Sequence, residues 1–391
     1  MQIPDYFKFY NKTRILSGKK ALENIPYELK SMNAVKPLII TDKRSVKEGN
    51  VKNLISAYRD SGLVIGAVFD EAANYVSTNT VLNAAKLFRA RGCDSIIAIG
   101  GIDSASIARG LNLLVSNKSD DLLQFESLPD TMDLCPFIMV ITSDSRGRET
   151  SNKAVIDGRV YMSSELMPDI ALIDSRMLKK REMSDVVSFA LCALADVIEA
   201  CSVELANPVN DAFAFASIEL ICENLTDIFN RGYSGKRKLG LANGIAISGI
   251  VSSNAPEGLG GHLSLELSKN TRHSRELCSS ILLSYILDYK LKNIKNGVRD
   301  ELLLPVLGID KYCSSPESER GSLAVEAVTE LVKKAGKYIP LSFKEIKIPP
   351  YVITSIAESL EKEYSKSFGK GGVLKILDAA YEGSLLSGGN K

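Results

Sequence analysis

The stretch Ser95-Ile96-Ile97-Ala98-Ile99-Gly100-Gly101-Ile102-Asp103-Ser104-Ala105-Ser106-Ile107-Ala108-Arg109 decides the fold of this chain. Its first part is an apolar run ending in glycine, the pattern of a strand buried on both faces. Two glycines break the run, and residues 103–114 then read as a helix. Strand, glycine turn and helix in that order form the repeating unit of a parallel sheet. Glycines there let a phosphate approach the backbone, and the free N–H groups of the first helical turn face the anion. The same residues also suit a purely structural turn. Ile102 places a branched side chain in the turn, and Asp103 either puts a carboxylate where an anion would lie or caps the helix.

Working outward, residues 36–42 (KPLIITD) read as a buried strand, followed by a helical stretch over 51–59 and a second strand over 63–70. Ser77 and the period of Val81, Ala84, Ala85 and Phe88 mark a capped amphipathic helix. Residues 137–142 form another strand, residues 153–162 carry the hairpin signal Asp157-Gly158, and residues 169–174 are one more strand. Alternating strands and helices predict an α/β, doubly wound, Rossmann-like parallel sheet. After about Arg181 strand patterns stop. Helical patterns run over 184–201, 209–229, 240–252, 274–289, 322–334 and 352–364, so the second half reads as all-α. The expected domains are 1–181 and 182–391, with a frayed Ser/Gly-rich tail from residue 383.

Composition narrows the class. The chain has 391 residues, 45% of them apolar and 24% charged, which is ordinary for a globular protein. A formal net charge of +1 gives no global field to draw nucleic acid or an anionic membrane. Seven cysteines without a CxxC pair suggest reduced thiols in a cytoplasmic protein. No run approaches the ~18 apolar residues of a membrane span, and the first residues lack the apolar core of a signal peptide. A soluble cytoplasmic protein with no nucleic-acid or membrane partner is expected.

The chemistry-bearing residues are few. There are two histidines, His262 and His273. Cys192 and Asp196 lie four apart, on one face of a predicted helix. Together the four offer mixed N, O and S donors, better suited to zinc or iron(II) than to magnesium. Taken singly, Cys192 also suits a small buried apolar position, Asp196 a solvated carboxylate, and the histidines a plain surface. Asp42, ending the first strand, is placed to accept from a ribose hydroxyl and repel a 2′-phosphate, or to make a strand-end turn. The loop over 142–150, with Thr142, Ser143 and Gly147, is rich in hydroxyls and arginines. It suits a polar or anionic group or simply solvent.

On these motifs the chain resembles the iron-containing (group III) alcohol dehydrogenase family along nearly its whole length. TRILSGKKALENIPYEL resembles the family's opening strand and helix. IITDK, CDSIIAIGG, ITSDSRGRET and MPDIALIDS follow its strand ends and loops, with Thr142, Gly147 and Glu149 retained. LCALADVIEAC falls on Asp-Ala-Leu-x-His-x-Ile-Glu-Ala, and NPVNDAFAFASIELI resembles the Asn-Pro-x-x-Asp-x-x-Ala helix.

The resemblance implies a dehydroquinate synthase-like architecture with a dinucleotide domain and a helical metal-binding domain. It implies NAD(P), a divalent iron or zinc, a small alcohol or aldehyde substrate, and a homodimer or larger assembly. Nucleotide contacts are then expected at Asp42, Gly100, Gly101, Ile102, Asp103, Thr142, Ser143 and Gly147. Metal ligation is expected at Cys192, Asp196, His262 and His273, with catalysis at His262, His273 and Asp196.

The departures fall on functional positions. In the glycine motif the third glycine is Ile102, the serine is Asp103, the later Asp is Ser106 and the Lys is Arg109. Cys192 replaces the first metal ligand, an Asp, and Asp196 the second, a His. Ser274 replaces a glycine after the last His. Two alternatives to a metal-dependent, NAD(P)-linked oxidoreductase follow. One is a redox-inactive family member that serves as a binding or assembly protein. The other is a sugar-phosphate lyase or cyclase of the same fold, with Arg146 and Arg148 holding a phosphate.

Overall fold

The computed structural model describes residues 4–59, 61–73, 75–128, 131–201 and 207–386; the end of the tail expected to fray, residues 387–391, lies outside them. The chain divides into two units, residues 10–180 and residues 181–391 together with 1–9.

The first unit is α/β. In order it contains β1 (Arg14–Gly18), a 3-10 turn (Ala21–Asn24), α1 (Ile25–Ser31), β2 (Pro37–Ile40), α2 (Lys43–Lys47), α3 (Asn50–Ala57), β3 (Ala67–Phe69), α4 (Thr78–Arg91), β4 (Ser95–Gly100), α5 (Ile102–Ser116), β5 (Phe137–Ile141), β6 (Lys153–Ile156), β7 (Arg159–Met162) and β8 (Ile170–Asp174). Six strands form one sheet in the order β1-β8-β5-β4-β2-β3, every neighbouring pair parallel. The register aligns Ile39 with Ile97, Ala98 with Met139, and Val140 with Leu172.

Side chains alternate across the pleat. Ile97, Ile99, Val140 and Leu172 pack with Leu22, Ile25, Leu29 and Leu54. The predicted hairpin forms as β6–β7, with Asp157 and Gly158 both at positive φ in its turn. The strand expected over 63–70 is shorter. It is an edge strand with a single neighbour, so only Ala67–Phe69 pair.

At the C-terminal end of β8, Arg176 ties the sheet to the 3-10 turn. Its guanidinium donates to Asp174 at 3.0 and 2.7 Å and to Glu23 at 2.8 and 2.6 Å. Burial works against the Asp174 carboxylate, but bonds from Arg176 and from the Leu22 N–H outweigh it and hold its pKa below the usual value. The Arg176 hydrogen bonds lower Glu23 as well. A depressed folded-state pKa contributes stability that is present above the unfolded value and lost as pH falls through the folded one. We therefore expect the melting temperature to fall on acidification below about pH 4. Asp174→Asn should be less stable at neutral pH and show a flatter acid limb in the melting profile. A mutant acid limb as steep as the wild type's would assign the acid sensitivity to other carboxylates.

The second unit is helical: α6 (Met183–Ala200), α7 (Pro208–Arg231), α8 (Gly235–Ser253), α9 (Leu259–Asn270), α10 (Arg275–Asn293), α11 (Asp300–Leu307), α12 (Ile309–Ser314), α13 (Glu317–Ala335), α14 (Pro350–Phe368) and α15 (Gly372–Glu382). Its core runs through α6 (Val187, Leu191, Leu194, Val197) and α10 (Cys278, Ile281, Leu282, Tyr285).

Asn207 caps α7, accepting from the N–H groups of Val209 and Asn210, each at 3.2 Å, and Pro208 follows at the first helical position. One turn on, Asp211 is 2% exposed and forms a two-point pair with Arg299 at 3.0 and 2.8 Å. The Asn-Pro-x-x-Asp motif therefore starts a helix and anchors it. All seven cysteines are free thiols. Burial pushes the thiols of Cys201, Cys222 and Cys278 up to about 12, so these three behave as small apolar residues. Among the described residues no helix is long and apolar enough to cross a membrane.

Candidate functional site

In the α/β unit the strand order reverses between β2 and β4, since the chain goes outward from β2 to β3 and returns on the other side. Open parallel sheets bind ligands beyond the carboxyl ends of their strands at such a point. Asp42 follows β2, and Gly100 ends β4. A Cβ on Gly100 would stand 3.0 Å from Asp42 Oδ2 and 2.8 Å from Ser104 Oγ, and the glycine has φ +137°. Glycine is required there on both counts. Gly101 starts α5 with no side-chain cap, so the first N–H groups of α5 are left to backbone, water or a ligand.

An open cleft of about 460 Å³ lies over this turn, in the size range of cofactor sites. Its walls carry the carboxylates of Asp42, Asp70, Glu71, Asp103 and Asp144 against the cations of Lys43, Arg44 and Arg146. Five negative groups against three positive ones favour hydroxyls over phosphates. The glycine cradle and the uncapped helix fit a dinucleotide backbone; Asp103 opposes its pyrophosphate. Asp42 caps α2 as well. It accepts from the Ser45 N–H at 2.8 Å and the Ser45 hydroxyl at 3.0 Å, which leaves each of its oxygens with further accepting capacity.

The other predicted nucleotide residues build the loop. Thr142 is buried, and its hydroxyl accepts from the Asp144 N–H at 3.3 Å. Ser143 donates to the Lys179 carbonyl at 2.6 Å. Gly147 adopts φ +92° and turns the chain so that Glu149 folds underneath. Glu149 accepts from the Ser145 hydroxyl at 2.9 Å and from the Arg146 N–H at 3.0 Å. Burial pushes its pKa up against those bonds.

Arg109 is fully buried. It donates to the carbonyls of Leu166 (3.0 Å), Lys153 (2.9 Å), Glu149 (2.6 Å) and Ser151 (2.7 Å). Burial pushes this guanidinium down to about 10, so it remains charged at neutral pH. The side chain at the motif's lysine position is thus a scaffold for the loop.

In the helical unit the four predicted metal ligands do not gather. Among the described residues no three His, Cys, Asp or Glu side chains group so as to hold a metal ion. His262 sits in the first turn of α9, with Nδ1 2.5 Å from the Tyr364 hydroxyl and 3.5 Å from Glu363 Oε1. His273, between α9 and α10, donates from Nε2 to the Ile346 carbonyl at 2.9 Å.

Cys192 and Asp196 do share the buried face of α6, but a guanidinium lies against them. Arg275 Nη1 is 3.6 Å from Cys192 Sγ and 3.5 Å from Asp196 Oδ2. Nη2 is 3.1 Å from Asp196 Oδ1 and 2.9 Å from Glu257 Oε1. The expected four-ligand site is not assembled here: a protein cation stands between the carboxylates, and the two imidazoles do not gather with them. The iron or zinc implied by the resemblance does not fit this arrangement.

Neither Arg275 nor Glu257 was marked by the sequence motifs. The available signal was an arginine two residues past the last histidine, with Asp196 one helical turn after Cys192 and Glu257 five residues before His262. Glu199, from the α6 motif, holds the fold: its carboxylate accepts from the N–H groups of Gly260 (2.7 Å) and Gly261 (3.1 Å), capping α9 from a neighbouring helix. Burial raises its pKa. A Cβ at Gly260 would meet that carboxylate at 3.0 Å, which explains a glycine inside the helix. Those glycines also hide α9 from a periodicity reading.

Comparison with known proteins matches residues 12–175 to the family model described as iron-containing alcohol dehydrogenase, and residues 187–381 to the C-terminal model of the same family. An NAD-dependent methanol dehydrogenase of Bacillus methanolicus is 23% identical over 84% of this chain and 87% of its own length. Among solved structures, a 1,3-propanediol oxidoreductase superposes with TM-score 0.83 at 20% identity, covering 96% of this chain and all of that one. A sulfoacetaldehyde reductase from Bifidobacterium kashiwanohense, solved in complex with NAD+, gives TM-score 0.79 at 15% identity, over 98% of this chain and 100% of that one.

Proposed function

Since the chain belongs to the iron-containing alcohol dehydrogenase family, we propose that it binds a nicotinamide dinucleotide at the β2/β4 switch point and interconverts a small alcohol and its carbonyl. The observation that carries this reading is the glycine cradle of Gly100 and Gly101 beside Asp42, under an open cleft at the uncapped start of α5. A bound nicotinamide supplies or accepts the hydride. The protein's part is positioning. The two glycines let the dinucleotide backbone approach, Asp42 accepts from a ribose hydroxyl and repels a 2′-phosphate, and Arg44 and Arg146 offset the cleft's carboxylates. NADH is therefore favoured over NADPH. Catalysis through His262, His273 and Asp196 is not part of the proposal, because all three are engaged in bonds of the helical unit.

A second reading, a redox-inactive member that binds a ligand or partner, is favoured by one observation: Arg275 against Cys192 and Asp196. Fluorescence titration of NADH and NADPH separates the two, followed by turnover assays across short-chain alcohols and aldehydes. NADH binding with turnover supports the first reading, binding without turnover supports the second, and no binding of either nucleotide removes the first. Ile102→Gly with Asp103→Ser takes a branched side chain and a carboxylate from the turn. The pair should tighten NADH by about tenfold. An unchanged Kd would place the dinucleotide elsewhere.

A further inference from the structure

We infer that the guanidinium of Arg275 has replaced the divalent cation in this chain, so that the helical unit carries its own fixed positive charge and does not take up a metal. Three independent observations converge. First, the cation lies against the two residues that match the family's first two ligand positions, Cys192 and Asp196, and is bridged across to Glu257. Second, the remaining two ligand candidates, His262 and His273, do not join Cys192 and Asp196 in any group of three or more His, Cys, Asp or Glu side chains among the described residues. Third, Arg275 opens α10 directly after its cap Ser274. Cations are disfavoured at that end of a helix, so local helix energetics do not explain an arginine there.

What retains it is the acidic set around it. The Arg275 side chain is 10% exposed and the Asp196 side chain 12% exposed. Asp196 and Glu257 each accept from this largely buried guanidinium, and Cys192 Sγ lies 3.6 Å from it. Arginine suits this place better than lysine. Its planar fork spans both oxygens of Asp196 and still reaches Glu257 with one nitrogen.

A guanidinium carries one positive charge where a divalent ion carries two, and it donates hydrogen bonds where a metal accepts lone pairs. A second cation cannot simply be added, since it would stand beside the fixed one. Loss of the guanidinium, in contrast, leaves one thiol and two carboxylates facing an open position, a donor set that transition metals accept.

The test uses the full chain and Co2+ as probe. Wild type purified from iron- and zinc-supplemented medium should contain well under one metal per chain. Its melting temperature should be unmoved by EDTA or Co2+. In Arg275→Ala, Co2+ should bind more tightly than in wild type by roughly two orders of magnitude or more. It should raise the melting temperature, and show a thiolate-to-cobalt absorption band that disappears when Cys192→Ser is added.

Stoichiometric metal in wild type, removed by EDTA with a fall in melting temperature, would overturn the inference. So would a folded Arg275→Ala indifferent to Co2+. Should Arg275→Ala fail to fold, the uncharged Arg275→Gln serves the same purpose, and the wild-type metal content decides on its own. None of these readouts depends on nucleotide binding or turnover, so they stand apart from the proposed activity.

Discussion

Arg109→Ala is expected to cost the α/β unit about 4 kcal/mol of unfolding free energy, a large fraction of the stability of an ordinary domain. The guanidinium has no exposed surface and serves the carbonyls of Glu149, Ser151, Lys153 and Leu166. Removing it strands those acceptors in a dry site and takes one positive charge from beside the buried Glu149 carboxylate, leaving Arg146. Each stranded acceptor costs on the order of 1–3 kcal/mol, partly recovered if water enters the cavity. Arg109→Lys retains one charge and three donors but lacks the planar fork, and should recover less than half of the loss. Urea unfolding followed by circular dichroism measures both. A loss below about 1 kcal/mol for the alanine variant would show that water satisfies the loop as well as the arginine does.

Arg299→Ala should destabilise the helical unit by about 3 kcal/mol, and Asp211→Ala by a similar amount. The pair is two-pronged, at 3.0 and 2.8 Å, with the Arg299 side chain 10% exposed and that of Asp211 2% exposed. Most of the cost lies in leaving one buried charge without its partner. The double variant should therefore be little worse than either single one, and a double-mutant cycle should return a coupling of about 2 kcal/mol or more. Additive losses would mean the two side chains act independently. Arg109 and Asp211 both stand at motif positions of the sequence, and both hold the fold.

That distinction marks where sequence reading succeeds and where it stops. Residues 95–100 and 137–141 are legible as strands because a run apolar on both faces has few other uses in a chain of ordinary composition. The Asp157-Gly158 turn is legible because positive φ at both positions selects those residues. Helix α9 is not legible, since its glycines answer to Glu199, a residue about sixty positions earlier.

The candidate metal site follows the same logic. The spacing of Cys192 and Asp196 does place them on one helical face. What fills the space in front of them is settled by Arg275 and Glu257, which no local pattern connects to α6. Arg109 is the plainest case. It stands where the resembled family's glycine motif has a lysine, and its actual partners are carbonyls about 40 to 57 residues further on.

The division of the chain has a consequence for biosynthesis. The α/β unit is one continuous segment, residues 10–180, and can complete itself on the ribosome once that segment has emerged. The helical unit is interrupted. Phe9 stacks on Phe213 with ring centres 5.3 Å apart, and the Lys8 carbonyl accepts from Asn207 at 3.1 Å. Its earliest-made strand of contacts must therefore wait, solvated, while an entire second body is translated and folded, before the helix that receives it exists. The helical unit thus depends on residues made before the α/β unit, and a nascent chain stalled after residue 180 but before α7 carries an unclaimed aromatic segment alongside a segment long enough to have folded.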